Sequence, residues 1–242
     1  FLMKNLLIDI GNSFCKVAIA DGMEILWVER MKKERLIPFL KERFPQEEHP
    51  AYSVLSSVSG YDPNLKKFLE EFSTKGLLSM DQSLKTGITN NYKTPTLGSD
   101  RLAGAVGAHY LYPDCNCMVF DFGTAITIDF VSAKGEFLGG NISPGFCTRF
   151  LALNQYTVNL PLLRVDSTEN CIGTSTRDAI GNGVNLGIMF EIEGYMRLHS
   201  DKKVIFTGGD SRYFAAKTNH PVVVEETLVL LGLAQIAMQY EQ

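Results

Sequence analysis

The sequence predicts an α/β protein of two similar domains facing a cleft, and three observations predict it. An apolar run closed by an acid, a spacer and glycine, Leu6-Leu7-Ile8-Asp9-Ile10-Gly11-Asn12-Ser13, recurs about 110 residues later as Met118-Val119-Phe120-Asp121-Phe122-Gly123-Thr124-Ala125. Each run opens a β-meander with short turns. Each meander then leads into helices alternating with short buried strands.

In the first half, Gly11-Asn12 turns the chain into the strand Lys16 to Ala20, and Asp21-Gly22 turns it again into Met23 to Met31. Residues 33–44 have helical spacing, with Pro38 in the first turn where its missing N–H costs nothing. Tyr52 to Val58 is a strand, and Asp62-Pro63 is a cap followed by an N1 proline, opening a helix to Phe72. Gly98-Ser99-Asp100-Arg101 opens another helix rich in small residues, with Ser99 or Asp100 as a possible N-cap. In the second half, Ala125 to Val131 and Glu136 to Ile142 complete the meander around Lys134-Gly135. Helices at about 175–199 and 226–240 flank the buried strands Val204-Ile205-Phe206 and Val222-Val223-Val224. The expected boundary lies near Pro113, giving domains 1–113 and 114–242.

Over 242 residues, 45% apolar and 21% charged side chains exclude disordered and fibrous classes. A net charge of −4 with no basic run argues against nucleic acid or anionic membrane as the main partner. No run of about 18 apolar residues suggests a membrane span. Five irregularly spaced cysteines, Cys115 and Cys117 forming a lone C-x-C, read as buried or loop thiols and suit a reducing cytoplasm. The four scattered histidines offer no metal spacing, and neither a P-loop nor a G-x-S-x-G elbow is present.

The chemistry concentrates at the two acid-x-glycine turns. Glycine lets backbone N–H groups approach phosphate oxygens, and an aspartate beside the turn suits a hard divalent ion, held directly or through water. One such turn is an ordinary hairpin; two at matching positions favour nucleotide phosphate. Lys16 is either a surface lysine or a point charge for the transferred group. Asp100, if it faces the cleft, can take the proton of an attacking hydroxyl while Arg101 binds an anionic group. Gly139 to Gly145 and Thr207-Gly208-Gly209-Asp210 are loops able to approach a ligand closely.

Taken together, these segments resemble the acetate and sugar kinase, heat-shock chaperone and actin superfamily, and within it the type III pantothenate kinases. Asp9-Ile10-Gly11-Asn12-Ser13 with Lys16 is similar to the family's D-x-G-N-T followed by a basic residue, with Ser13 for Thr. Gly98-Ser99-Asp100-Arg101 is similar to G-x-D-R, with Leu102 where an aromatic often follows. Residues 121–129 match D-x-G-T-A-x-T-x-D, and 139–145 match G-G-x-I-x-P-G. The resemblance implies two actin-like ATPase (ribonuclease H-like) domains with a nucleotide cleft between them. It implies phosphorylation of pantothenate by ATP with Mg²⁺, Asp100 being the general base. ATP would be held by Asp9, Ile10, Gly11, Asn12, Ser13, Phe14, Cys15, Lys16 and Thr124. Pantothenate would touch Tyr92, Gly98, Ser99, Asp100 and Arg101, with Thr176 reaching it from the second subunit of a homodimer. Asp121 would bind a monovalent cation, potassium or ammonium. The alternative is a non-catalytic regulatory relative of the same fold.

Overall fold

A computed structural model describes residues 4–44, 48–58, 60, 62–81, 84–164 and 171–241. Two compact units emerge: Phe1–Cys115 with Val131–Gly139 and Thr227–Gln242, and Asn116–Phe130 with Gly140–Glu226. A single cut near Pro113 would place residues 131–139 and 227–242 with the second half, whereas by compactness they fall in the first unit.

In the first unit, β1 (Lys4–Ile10), β2 (Cys15–Asp21), β3 (Glu24–Met31), β4 (Tyr52–Ser57) and β5 (Gly76–Ser79) form a sheet ordered β3-β2-β1-β4-β5. The meander pairs are antiparallel, and β4 and β5 join in parallel. Strand alternation sorts the side chains onto two faces. Leu6, Ile8, Ile10, Val17 and Leu55 pack against α1 (Leu36–Arg43) and α2 (Pro63–Phe72). Leu7, Ala18 and Val54 pack against α3 (Ser99–Leu111) and the last helix of the chain (Leu228–Glu241). Asp62 caps α2 by accepting from the Asn64 N–H at 2.9 Å, with Pro63 in the first turn, as the sequence pattern predicts.

The second meander is β7 (Cys117–Phe122), β8 (Ala125–Val131) and β9 (Glu136–Pro144); β10 (Lys203–Thr207) and β11 (Val223–Val224) follow, with a short β6 (Thr89–Asn90) preceding it in the chain. The sheet order is β11-β10-β7-β8-β9-β6, with β10 parallel to both β7 and β11. From β9 to β11 this repeats the order of the first sheet, so the duplication predicted from two motifs extends to the whole strand topology. β6, absent from the sequence reading, adds on Glu136 and Phe137. One face of β7 and β10, with Phe120, Phe122 and Phe206, packs against α4 (Phe146–Tyr156), α5 (Thr176–Leu198) and α6 (Ser211–Ala215) through an aromatic core that includes Phe146 and Phe214. The sequence carries no side-chain start signal for α4, whose N-cap is Gly145.

The chain's last helix, α7 (Leu228–Glu241), is the counterpart of α3 in the second repeat, yet it lies in the first unit and crosses α3 backbone to backbone. A Cβ on Gly232 would run into the Ala103 carbonyl, and one on Gly107 into the Leu228 carbonyl. Side chains and ends reinforce the seat: Asn5 donates to Glu241 at 2.6 Å and Tyr52 to the Tyr240 carbonyl at 3.1 Å.

Candidate active site

Alternation places Asp9 on the face of β1 that α3 covers, one step beyond Leu7. Its neighbours in the sheet are Lys16 on β2 and Ser56 on β4. α3 begins over this row. Ser99 does not cap the helix: the N-cap is Gly98, with no side-chain bond. Instead the Ser99 hydroxyl accepts from the Ser57 N–H at 2.9 Å and lies 3.0 Å from the Ser56 hydroxyl, which donates to Asp9 Oδ1 at 3.1 Å. The Asp100 carboxylate folds back over Gly98, where a Cβ would collide with its Oδ1, and accepts from the Arg101 N–H at 2.8 Å.

Two partly buried carboxylates thus lie in the first unit, near enough for the charge of one to act on the other. Burial, and then the charge of Asp100, push Asp9 up to about 6, while Ser56 and Lys16 pull it down. Asp100 is also raised by burial, opposed by the N–H and charge of Arg101. A carboxylate whose pKa is raised suits proton transfer better than an exposed one. Arg101 is 8% exposed, and its guanidinium stands 5.7 Å from the Tyr92 ring and 5.8 Å from that of Phe137. Sequence reasoning missed Ser56 and Phe137. A serine in a strand and a phenylalanine after a turn carry no local signal, and both matter here through sheet register.

The first turn spans residues 11–14, longer than the Gly11-Asn12 signal suggests, and closes with the Gly11 N–H on the Phe14 carbonyl at 3.0 Å. Gly11 does not take a left-handed conformation. Asn12, Ser13 and Phe14 are exposed, and Phe14 carries the Arg30 guanidinium at 4.1 Å from its ring. Ile10 and Cys15 have core side chains, so they can meet a ligand only through backbone.

In the second unit the matching turn is Gly123-Thr124. A Cβ on Gly123 would make only ordinary contacts, and its φ is not left-handed, so the chain itself does not demand glycine there. Gly145, at the end of the Gly139 to Gly145 loop, presses on this turn: a Cβ would strike the Gly123 and Thr124 carbonyls, and its N–H donates to Thr124 at 3.0 Å. Arg149 holds the loop by donating to the Pro144 carbonyl at 2.9 Å and pairing with Glu191. Gly208, at φ +88°, lies against Asp121 Oδ1 and the Phe122 backbone, where any Cβ would clash. The beginning of the Thr207 to Asp210 loop is therefore fitted to Asp121, while Gly209 is open.

The Asp121 carboxylate is a hard oxygen donor, of the kind that suits a hard cation. No cluster of three or more His, Cys, Asp or Glu forms among the described residues, so a divalent ion would lean on one or two carboxylates and on phosphate oxygens. Thr176, by contrast, is an exposed residue at the start of α5, a helix whose Ser175 cap accepts from the Asp178 N–H at 3.2 Å.

The duplicated sheet order and paired turns are those of the actin-like ATPase fold, a scaffold for phosphoryl transfer. An activator of 2-hydroxyisocaproyl-CoA dehydratase from Clostridium difficile, solved with ADPNP, shares it at a TM-score of 0.57 and 14% identity, over 98% of this chain and 95% of that one. A family profile described as type III pantothenate kinase matches residues 5–198. A type III pantothenate kinase of Cytophaga hutchinsonii is 36% identical over 237 residues, 96% of this chain and 97% of that protein. A Campylobacter jejuni structure, described as a candidate Baf family transcriptional activator, superposes at a TM-score of 0.66 and 25% identity, over 98% of each chain. The chain belongs to the type III pantothenate kinase family. The match to this family gives no support to the non-catalytic alternative.

Proposed function

We propose that the chain transfers the γ-phosphoryl group of ATP to the primary hydroxyl of pantothenate, giving 4′-phosphopantothenate and ADP, the first step of coenzyme A biosynthesis. Family membership supports the reaction. The observation that carries the mechanism is the partly buried, raised Asp100 carboxylate, whose charge acts on Asp9 and which accepts from the Arg101 N–H. Asp100 accepts the hydroxyl proton as that oxygen bonds to phosphorus and the bond to the ADP oxygen breaks. Arg101, Gly98, Ser99 and Tyr92 hold pantothenate, Arg101 by its charge. Asp9 to Lys16 and Thr124 hold ATP, largely through N–H groups and hydroxyls, and Lys16 offsets charge on the transferred group.

Mg²⁺ would be held by phosphate oxygens with Asp9, and a potassium or ammonium ion by Asp121. Both would supply neutralisation of phosphate charge. Every other contribution is positioning by the chain. The decisive assay measures ADP release with pantothenate against a panel of other hydroxyl compounds. Strong preference for pantothenate is expected, and indifference to the acceptor would overturn the reading. Exchanging potassium for sodium should depress kcat strongly in the native enzyme and have little further effect in Asp121→Asn. Equal rates of the native enzyme in both salts would remove the cation from Asp121.

We also assign a homodimer in which Thr176 completes the partner's pantothenate site. Thr176, Gly183 and Phe190 recur at seven-residue spacing along an exposed stripe of α5, with Phe190 65% exposed. Five free cysteines fit a cytoplasmic enzyme.

A further inference from the structure

Asp9 and Asp100 stand on different elements, and something must fix one relative to the other to within the tolerance that phosphoryl transfer demands. The hydrogen bonds around Ser56 have a direction that can be derived. Ser57 offers its N–H to Ser99 Oγ, and Ser56 gives its only hydroxyl proton to Asp9 Oδ1. The remaining proton between the two serines therefore comes from Ser99, which donates to Ser56. The chain of donors runs one way, from the Ser57 N–H through Ser99 and Ser56 to the carboxylate, and such a chain strengthens each of its bonds. Ser56 is 0% exposed and Ser99 8%, so water cannot stand in for a lost partner.

We infer that Ser56 is a positioning residue, which fixes the Asp9 carboxylate and, through Ser99, the first turn of α3, so that one chain of hydrogen bonds sets Asp9 and Asp100 together. This rests on the roles proposed above for those two residues. Neighbouring Ser57 provides the contrast. It too is buried, but its hydroxyl donates at 2.6 Å to the Gly60 carbonyl, off the chain. A hydroxyl that only supports the fold should behave like that of Ser57.

The test compares kcat, KM for both substrates and melting temperature in Ser56→Ala, Ser99→Ala, the double variant, Ser57→Ala and Asp100→Asn. Ser56→Ala should lose about 10- to 100-fold in kcat, with KM for pantothenate moved by less than about threefold, as for a misplaced group rather than lost binding. The double variant should have a kcat close to that of its slower parent, because both substitutions break the same chain. Ser57→Ala should keep kcat within about threefold of native, whatever it does to melting. If Ser56→Ala folds poorly, Ser56→Thr and Ser56→Val replace it. They share a shape and differ in the hydroxyl, and the Thr variant should be faster by about tenfold or more. Native-like kcat in Ser56→Ala, equal losses in the Ser56 and Ser57 variants, multiplicative losses in the double variant, or equal Thr and Val rates would each overturn the inference. A nearly native Asp100→Asn would instead overturn the assignment of the base.

Discussion

Asp100→Asn should turn over about 10³-fold more slowly than the native enzyme, within the range a positioned general base contributes. It should do so without loss of fold. Asparagine keeps the shape of aspartate and an oxygen for the Arg101 N–H, so the first turn of α3 has no reason to open. Removing one charge from the pocket also relieves its push on Asp9, so the melting temperature should hold or rise. KM for pantothenate should change little, because Arg101 and its aromatic neighbours are untouched. Near-native turnover would take the proton transfer away from Asp100. A lost rate with a sharply lowered melting temperature would instead mark the residue as structural.

The second large effect concerns stability and its dependence on pH. Asp9 is raised from an ordinary carboxylate value of 3.8 to about 6, so the folded chain holds its proton more tightly than the unfolded chain. Stability from this group is therefore highest below pH 3.8, declines as pH rises toward 6, and is flat above that. Ionised Asp9 costs the fold on the order of 2–3 kcal/mol at neutral pH. Asp9→Asn should recover most of that at pH 7.5, melting several degrees higher, and the advantage should disappear near pH 4. Turnover should fall at the same time, the usual exchange between a strained site and a stable one. Thermal melts of both proteins at the two pH values decide the matter. No gain at pH 7.5, or an equal gain at both, would refute the burial account of Asp9.

What could be read from the sequence were features whose cause is local. Gly22 and Gly135 punctuate tight turns with left-handed φ values, Asp62-Pro63 starts a helix, and the acid-x-glycine runs end their strands where expected. The features that escaped depend on register between distant segments. Lys16 could be read only as a surface lysine or a point charge, and facing it across the sheet is Asp9, which no pattern in either strand announces. Ser99 reads as a cap by residue type, yet its hydroxyl is drawn to β4 because α3 starts directly over Ser56. Likewise Phe137 reaches Arg101 only because β6 and β9 pair beside it.

The crossing of α3 and α7 has a consequence for how the protein is made. Synthesis delivers the first 115 residues long before Leu228, and until then the α3 face bearing Ala103 and Val106 lacks the helix that covers it. The first unit thus cannot complete its core while the ribosome is still translating the second. The nascent chain must carry an exposed apolar seam through most of its elongation, open to chaperones and proteases alike. A chain stopped before Leu228 would leave the core of the first unit open, even with every residue of the second already made.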